Sequence, residues 1–598
     1  MAQQIFSTVE LEGGKKITHY TGLKIIQNLF KHHEFEVLVP YEELEKENEQ
    51  FFKNSHKDVC GKGISFSFEG ILNNKKFSFN FKGLVTGISL RNSGDLSNFF
   101  VISGYSPTII LEDSALKRTF INKDINGIFN AVLGDYPGNM LKKKISARNK
   151  QSIKYIVQYN ETNFKFLSRI AAEYGEWFYY NGKELMLGNQ TDSGEVDFIV
   201  DGVQKFDASI TLSPSKFKLA GYDYTKDKLY QGDSSSKSVN GLSQFGQFAL
   251  SKSEDVYSRP SILVAEQPVY SSSELDELVK EKKSVAASNL IVFTGQGEIP
   301  DISVGSVVNV GSARPIKGGR SKKDDFGKYR IIEITHRIDD DGNYSNEFKA
   351  VPESVTYPPP NPFYKHPVGQ PELAKVIDNN DPDKLGRVRV SFLWPGDQTE
   401  SDWVRVGSFY SGGGDGKGMF FIPEVDAQVL IGYELNRPEY PFLLTSLYAK
   451  KSGSRGSKDK NEQKVFYTQA GNQIELIDKQ GENKIQITNA NKTDTCITLE
   501  FKGDGQIAIK SNGKIEISSA TNEISISAQK KLSIQAMDIE IKAQNNLSCE
   551  ATNKMSISGM QVQVDAKTTA ELKASAQMKV TGAVTELNAD GIMIVKAP

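Results

Sequence analysis

The chain has 598 residues, and its 72 basic and 74 acidic side chains give a formal net charge of only −2 at pH 7. A charge this balanced gives no electrostatic reason to expect binding to nucleic acid or to an anionic membrane surface. The three cysteines, Cys60, Cys496 and Cys549, lie far apart in the sequence, so neither structural disulfides nor a zinc site is expected.

Residues 1–365 are predicted to form one large module that contains both strands and helices. Apolar runs predict strands at residues 77–81, 84–90, 99–105, 304–310 and 329–334. One helix is expected to be capped by Asn163 and to bury Phe166, Leu167, Ile170 and Tyr174. A second helix is expected to begin at Ser273, with Asp276 three residues later, and to turn inward Leu275, Leu278, Val279 and Val285.

Residues 357–368 are rich in proline and are predicted to be a stiff extended linker, because proline continues neither a helix nor a strand ladder. A second module, residues 369–449, follows this linker. Its predicted strands are residues 373–378, 387–392, 403–406, 418–422 and 428–433. Short strands at this density are typical of a small barrel of the OB type. Residues 450–460 are rich in Gly, Ser and Lys and are predicted to be a flexible linker.

The last part of the chain, residues 461–598, repeats a short unit with a period near eight from about residue 506 onward. Each unit carries two apolar residues spaced two apart, which is the alternation of a strand, and polar corners separate the units. A short fixed period of this kind is typical of a β-solenoid or a β-prism. An amphipathic helix does not fit, because a period of eight does not match about 3.6 residues per turn.

Eight residues cannot enclose a core. Either three successive units of one chain form a three-sided coil, or three chains each supply one side of an intertwined needle. We favour the three-chain needle, a triple-stranded β-helix in which the apolar pairs form the trimer core. These core residues are Ile507, Ile509, Ile515, Ile517, Ile524, Ile526, Leu532, Ile534, Ile539, Ile541, Met555, Ile557, Val562, Val564, Met578 and Val580.

The sequence ends a few residues after the last apolar pair, and a needle that stopped there would leave a blunt apolar cross-section. We therefore expect a separate tip protein to bind near this end. The residues predicted to bind it are Gly591, Ile592, Ile594, Lys596 and Pro598.

No catalytic residues, cofactor site or metal site are predicted. None of the six histidines lies beyond His366, so a histidine-held metal inside the needle is not expected. The glycine-rich segment 412–418 has some features of a phosphate-binding loop, but Gly418 stands where Ser or Thr is required, so a loop between barrel strands is favoured.

Several motifs carry a family resemblance. In residues 1–365 they are the segments 105–107, 111–113, 158–164, 166–170, 174–179, 334–336, 342–344 and 346–348. In residues 369–449 they are the segments 376–378, 381–382, 385–390, 394–395, 403–406, 422–425 and 441–448. With the period-eight tail, they resemble VgrG, the spike protein family of bacterial type VI secretion systems, which is similar to the hub and central spike of contractile phage tails.

The resemblance implies a mainly β, multidomain protein: a phage hub-like α+β module, an OB-fold barrel and a needle. It implies a homotrimeric puncturing spike without enzyme activity that pierces the target membrane without stable binding. The implied partners are an Hcp-type tube protein, a PAAR-like tip protein, baseplate proteins, and effectors or chaperones. The spike of an extracellular contractile injection system is the alternative, and a cell-wall-degrading tail enzyme or an adhesin is disfavoured.

The N-terminal residues contain no apolar signal region, and no apolar run in the sequence is long enough to cross a bilayer. We therefore expect assembly in the cytoplasm without a signal peptide. The resemblance implies that the contractile machine then secretes the spike or injects it into a target cell.

Overall fold

The computed structural model describes residues 5–45, 56–57, 59–72, 75–92, 94, 98–188, 195–200, 204–316, 320–413, 416–450 and 459–596. The chain divides into two compact units, Met1–Glu462 and Gln463–Pro598. The described residues are mainly β, as predicted.

Strands are the main regular element of the first unit and form a short meander at the start of the second, and the described helices lie in the first. In chain order the strands are β1 Phe6–Leu11, β2 Lys15–Ile17, β3 Gly22–Asn28, β4 Glu34–Pro40, β5 Gly63–Leu72, β6 Lys75–Asn92, β7 Asn98–Tyr105, β8 Ala115–Lys123, β9 Lys143–Ile145, β10 Ile153–Thr162, β11 Phe178–Tyr180, β12 Leu185–Leu187, β13 Glu195–Val200, β14 Lys205–Ile210, β15 Phe217–Asp223, β16 Lys228–Asp233, β17 Ser261–Val264, β18 Ile291–Gly297, β19 Val307–Ile316, β20 Arg320–Ile338, β21 Tyr344–Pro352, β22 Glu372–Asp378, β23 Arg389–Phe392, β24 Arg405–Val406, β25 Gln428–Tyr433, β26 Pro441–Leu447, β27 Gln463–Tyr467, β28 Asn472–Ile477, β29 Lys484–Asn489, β30 Lys492–Glu500 and β31 Gln506–Lys510. The α-helices are Tyr41–Glu45, Ile125–Leu133, Asn163–Glu173, Gln244–Val256 and Ser272–Ala287.

One large sheet joins the two ends of the first module. Its order is β14-β18-β21-β20-β3-β4-β7-β6-β5-β1-β2, with β19 also paired to β20 and β13 to β19. Each half has its own apolar core, because alternate residues of its strands turn inward. The predicted strands at 77–81 and 84–90 form one long strand, β6, which continues through a β-bulge between Val85 and Gly87.

A second layer of helices and short strands covers residues 107–187. The helices Ile125–Leu133 and Asn163–Glu173 share an apolar core with the two-stranded sheet β8-β10 and the three-stranded sheet β9-β12-β11. The second of these helices buries Phe166, Leu167 and Ile170, as predicted. The predicted cap is wrong by one residue, because the Thr162 side chain, not that of Asn163, accepts the hydrogen bond from the Lys165 backbone N–H.

The helix Ser272–Ala287 packs on the sheet β16-β15-β17. Its N-cap is Ser271, two residues before the predicted start at Ser273. The Ser271 side chain accepts from the Glu274 N–H at 3.2 Å, and the Glu274 carboxylate accepts from the Tyr270 N–H at 2.7 Å. The Ser271 side chain thereby satisfies one of the backbone donors that a helix start leaves unpaired, and Glu274 pairs the N–H of the residue before the cap.

The second module contains a five-stranded sheet of order β23-β22-β25-β26-β24. Four of its strands overlap predicted ones, but the predicted strand at 418–422 is wrong. There the chain makes a single bridge, Ser411 to Gly418, and the side chains of Phe420 and Phe421 are exposed. The fifth strand is β26, which pairs with both β25 and β24 and so lies inside the sheet rather than at its edge.

Candidate functional site

The second unit begins with an antiparallel meander, β27-β28-β29-β30-β31. Its register aligns two apolar rows across the sheet, because residues directly opposite each other in paired strands project from the same face. One row is Ile474, Ile487, Ile497 and Ile509, and the other is Leu476, Ile485, Leu499 and Ile507. Ile507 and Ile509, which were predicted to begin the trimer core, therefore belong to β31.

The remainder of the second unit, the described residues 511–596, is called the tail below. Its backbone bends at 512, 520, 529, 537, 544, 552, 560, 567, 575, 583 and 590, so bends recur every seven to nine residues. The segments between the bends contain no helix or turn, and no described residue of the tail takes part in a strand ladder. The backbone therefore has the same period as the sequence.

The side chains predicted to form the trimer core are largely exposed in the single chain. All sixteen residues predicted to form the trimer core are between 50% and 83% exposed, from Ile524 to Val564. Among the residues predicted to bind a tip protein, Ile592, Ile594 and Lys596 are exposed, and Pro598 lies outside the described residues. An array of exposed apolar residues on unpaired extended backbone is a surface that further chains can cover.

In the first unit, the hub-like and OB modules share one apolar core. Tyr155, Val157 and Tyr159 of β10 pack among the inward residues of β22, β23 and β25. Thr119 of β8 donates its backbone N–H to the Gln398 carbonyl at 2.9 Å and its hydroxyl to the Glu400 carbonyl at 2.7 Å. The two modules are therefore packed together in the monomer.

A carboxylate at the start of β22 extends this contact. Glu372 accepts hydrogen bonds from Lys117, from the Tyr159 hydroxyl at 2.7 Å and from the Trp394 indole N–H at 3.2 Å. Burial by itself raises the pKa of Glu372, but these three donors lower it overall. Burial and the Glu372 carboxylate together raise the pKa of Tyr159 to about 12.

The second polar contact between the modules is centred on Arg169, which is only 2% exposed. Its guanidinium donates to both oxygens of Glu161 at 2.8 Å, to Glu173 at 3.0 Å and to Glu439 at 3.1 Å. It also donates to the Val157 carbonyl at 2.6 Å. Because Glu439 precedes β26 of the OB module, Arg169 joins a hub helix to the barrel. These residues are called the Arg169 cluster.

The Arg169 cluster contains more negative than positive groups. Burial by itself lowers the pKa of Arg169, but the surrounding carboxylates of Glu173, Glu439 and Glu161 raise it well above its usual value. Burial raises the pKa of Glu439, although Arg169 opposes this. His366 completes the cluster from the proline-rich segment, with Nε2 at 3.5 Å from Glu439 and 3.6 Å from Glu173. The linker is thereby held against both modules.

Sequence reasoning missed the Arg169 cluster. Arg169 lies in the segment 166–170, which carries part of the family resemblance, but its role was not inferred. The sequence feature that could have indicated an ion pair is the spacing of four residues between Arg169 and Glu173, because a helix places such residues on the same face.

Within the described ranges, we find no helix that is both long and apolar enough to cross a membrane. The same ranges contain no group of three or more His, Cys, Asp or Glu side chains placed to hold a metal ion.

Two family models match the first unit. The phage tail baseplate hub model (GPD) matches residues 56–342, and the type VI secretion system/phage-baseplate injector OB domain model matches residues 372–448. The spike protein VgrG4b of Pseudomonas aeruginosa is 34% identical over 113 residues, which are 18% of this chain and 14% of the relative. The chain is thus similar to the spike proteins of type VI secretion systems and to phage baseplate hubs. VgrG5 of the same organism is 29% identical over 157 residues, which are 24% of this chain and 20% of that relative.

A solved structure extends this likeness. The half-lidded Francisella PdpA–VgrG complex matches with a TM-score of 0.55 at 10% identity, over 86% of this chain and 89% of that one. At this identity the match shows a shared fold. The aligned segments of the two Pseudomonas spike proteins cover well under a quarter of those proteins' lengths.

Proposed function

We propose that three copies of this chain form a puncturing spike that a contractile secretion machine drives into a target cell. The observation that carries this proposal is the tail, in which bends every seven to nine residues separate extended segments with exposed apolar pairs. Such a segment cannot bury its own apolar residues or pair its own backbone. Both needs are met when other copies lie alongside it.

Burial of one Ile, Leu or Val side chain contributes about 1.5–3 kcal/mol relative to full exposure. The predicted core residues are already partly covered, so each has roughly half or more of this free energy left to gain. Interchain pairing would also satisfy the backbone N–H and C=O groups of the tail. Folding of the tail and assembly of the trimer are therefore one event in this proposal.

The role is mechanical rather than catalytic. Stacked strands with a dry apolar interior make a stiff rod without free edges along its length, which suits penetration of an envelope. The hub-like modules would form the ring that meets an Hcp-type tube, and the described apolar residues near 591–596 would hold a PAAR-like tip. Baseplate proteins and effectors or chaperones are the further proposed partners, and assembly precedes release from the cytoplasm.

The proposal is tested by mass and by a pair of neighbouring substitutions. Light scattering of the full chain should give three times the 66.3 kDa chain mass. Ile524→Asp should abolish the soluble trimer, because three carboxylates would meet in a dry core at a cost of several kcal/mol each. Ser525→Asp is the matched control, since it projects from the opposite side of the same extended segment.

In a cell that carries the contractile machine, Ile524→Asp should also stop release of the tube protein, whereas Ser525→Asp should not. A monodisperse monomer for the unmodified chain would refute the trimer. Equal tolerance of both substitutions would show that the inward face of the tail is wrongly assigned.

A further inference from the structure

A cavity of about 330 Å³ lies inside the first unit. The helices Asn163–Glu173 and Ser272–Ala287 form two of its walls, and the prolines 358–360 form a third. Much of the lining is apolar, including Phe30, Leu219 and Leu278. The volume is at the low end of that of small-molecule sites, which suits a short side chain rather than a nucleotide.

The charged groups around the cavity are mainly acidic. Four glutamates line it, Glu173, Glu176, Glu266 and Glu281, against one lysine, Lys282. Three of the four carboxylates accept hydrogen bonds within the protein. Glu173 accepts from Arg169 and Tyr364, Glu176 from the Asn149 N–H at 2.7 Å, and Glu266 from Tyr364 at 3.2 Å.

Glu281 differs from the other three carboxylates. Its Oε1 is buried and accepts no hydrogen bond from any described group. The nearest cation, Arg148 Nη2, is 4.0 Å away, and its guanidinium stacks 3.8 Å from the centre of the Tyr357 ring. A Cβ atom at Gly175 would come within 2.5 Å of this oxygen, so glycine is needed for the carboxyl group to lie there.

Burial raises the pKa of Glu281 to about 8, with Glu176 and Glu277 adding to the rise and Arg148 opposing it. The carboxyl group is therefore mostly protonated at neutral pH while the cavity is empty. A buried carboxyl with a perturbed pKa and an unused oxygen beside a cavity is an arrangement typical of binding sites.

We infer that this cavity binds an alkylammonium group, whose ammonium pairs with Glu281 and whose carbon chain lies along the apolar wall. The group is carried either by a free alkylamine or by a lysine side chain of a partner protein. On binding, the O–H bond of the Glu281 carboxyl group breaks, its proton is taken up by water or buffer, and the carboxylate forms one ion pair with the ammonium group.

The experiment is calorimetric titration of the full assembled chain with N-acetyl-lysine methylamide and, separately, with n-butylammonium. N-acetyl-norleucine methylamide is the matched neutral ligand. Saturable binding of the ammonium ligands and none of the neutral one is expected. Buffers with different ionisation enthalpies should reveal release of about one proton near neutral pH, since Glu281 titrates on binding. Tighter binding of the lysine derivative than of n-butylammonium would identify a protein side chain as the ligand, and the reverse would identify a free amine.

Three variants test the residues. Glu281→Gln keeps the shape of the site and should weaken binding at least about tenfold and abolish proton release, because a charge-assisted hydrogen bond is lost. Ala172→Leu narrows the cavity from the facing helix and should weaken binding without removing a charge. Lys280→Gln, at an exposed position of the same helix that does not line the cavity, should bind as the unmodified chain does. No saturable binding, equal binding of the neutral ligand, or unchanged affinity in Glu281→Gln would each overturn the inference.

Discussion

Replacement of Arg169 by Met should show how strongly the Arg169 cluster joins the hub-like module to the OB module. The change keeps an unbranched apolar stem but leaves the carboxylates of Glu161, Glu173 and Glu439 without their shared donor. Loss of one partner of a buried ion pair costs about 3–5 kcal/mol, because the remaining charge stays desolvated. We expect the free energy of unfolding of Arg169→Met to fall by about that amount.

The loss should depend on pH with a definite sign. Without the guanidinium, the rise that burial causes in the pKa of Glu439 is no longer opposed by Arg169. A carboxyl whose folded pKa is raised loses stability as the pH rises between its unfolded and folded pKa values. The deficit of Arg169→Met should therefore be smaller at about pH 5 than at about pH 8.

Urea denaturation at both pH values measures the deficit, and limited proteolysis of residues 357–371 reports whether the modules separate. Arg389→Met is the matched control, because Arg389 is 31% exposed and pairs with the exposed Glu400. Pairs of that kind contribute about 0–1 kcal/mol. Addition of Glu439→Gln to Arg169→Met should restore part of the loss. If Arg169→Met is no less stable than Arg389→Met, the cluster does not join the modules.

Deletion of residues 591–598 should leave the trimer intact but remove tip binding, and a truncated spike that still recruits its tip would refute the predicted site. Glu281→Gln should be more stable than the unmodified chain, and the difference should grow from about pH 4.5 to about pH 8, where it reaches roughly 4 kcal/mol. The reason is that burial raises the pKa of Glu281, so the unmodified chain loses stability as the pH rises through this window. A difference in the free energy of unfolding that does not change with pH would contradict this prediction. Asp381→Asn should lower the free energy of unfolding by about 1.5–3 kcal/mol near neutral pH, because Arg387 donates to this carboxylate at 2.6 and 2.9 Å. Hydrogen bonds from Arg387 lower the pKa of Asp381, so this difference should shrink as the pH falls below about 4, and a difference that persists in acid would refute the role of the charge.

The sequence determined the local repeat of the tail. Pairs such as Ile524 and Ile526 predict short extended segments, and the backbone bends at the polar corners between them. This succeeds because strand alternation and turn preference are properties of neighbouring residues. The number of chains that bury these pairs is set by contacts between copies, so the three-chain needle stays a prediction.

The positions of the two helices also followed from local sequence patterns, but the residues at which they begin were predicted wrongly. The helix with Phe166 and Leu167 was predicted from its apolar face, while its cap was misassigned to Asn163. Several neighbouring polar residues can cap one helix, and here the Ser271 side chain, not that of Ser273, accepts the hydrogen bond from the Glu274 N–H. The OB strand at 418–422 was mispredicted because an apolar run predicts a strand whether or not a partner strand is available.

Only the tertiary structure decided the two buried polar sites. Glu439 lies 270 residues from Arg169 in sequence, and Glu281 is one of many acidic residues along the chain. The sequence does not distinguish an exposed glutamate from a largely buried one, and on the helix Ser272–Ala287 Glu277 is exposed whereas Glu281 lines the cavity. Burial removes water from a charge, and the distances to its neighbours then decide whether it is paired, as at Arg169, or left to bind something else, as at Glu281.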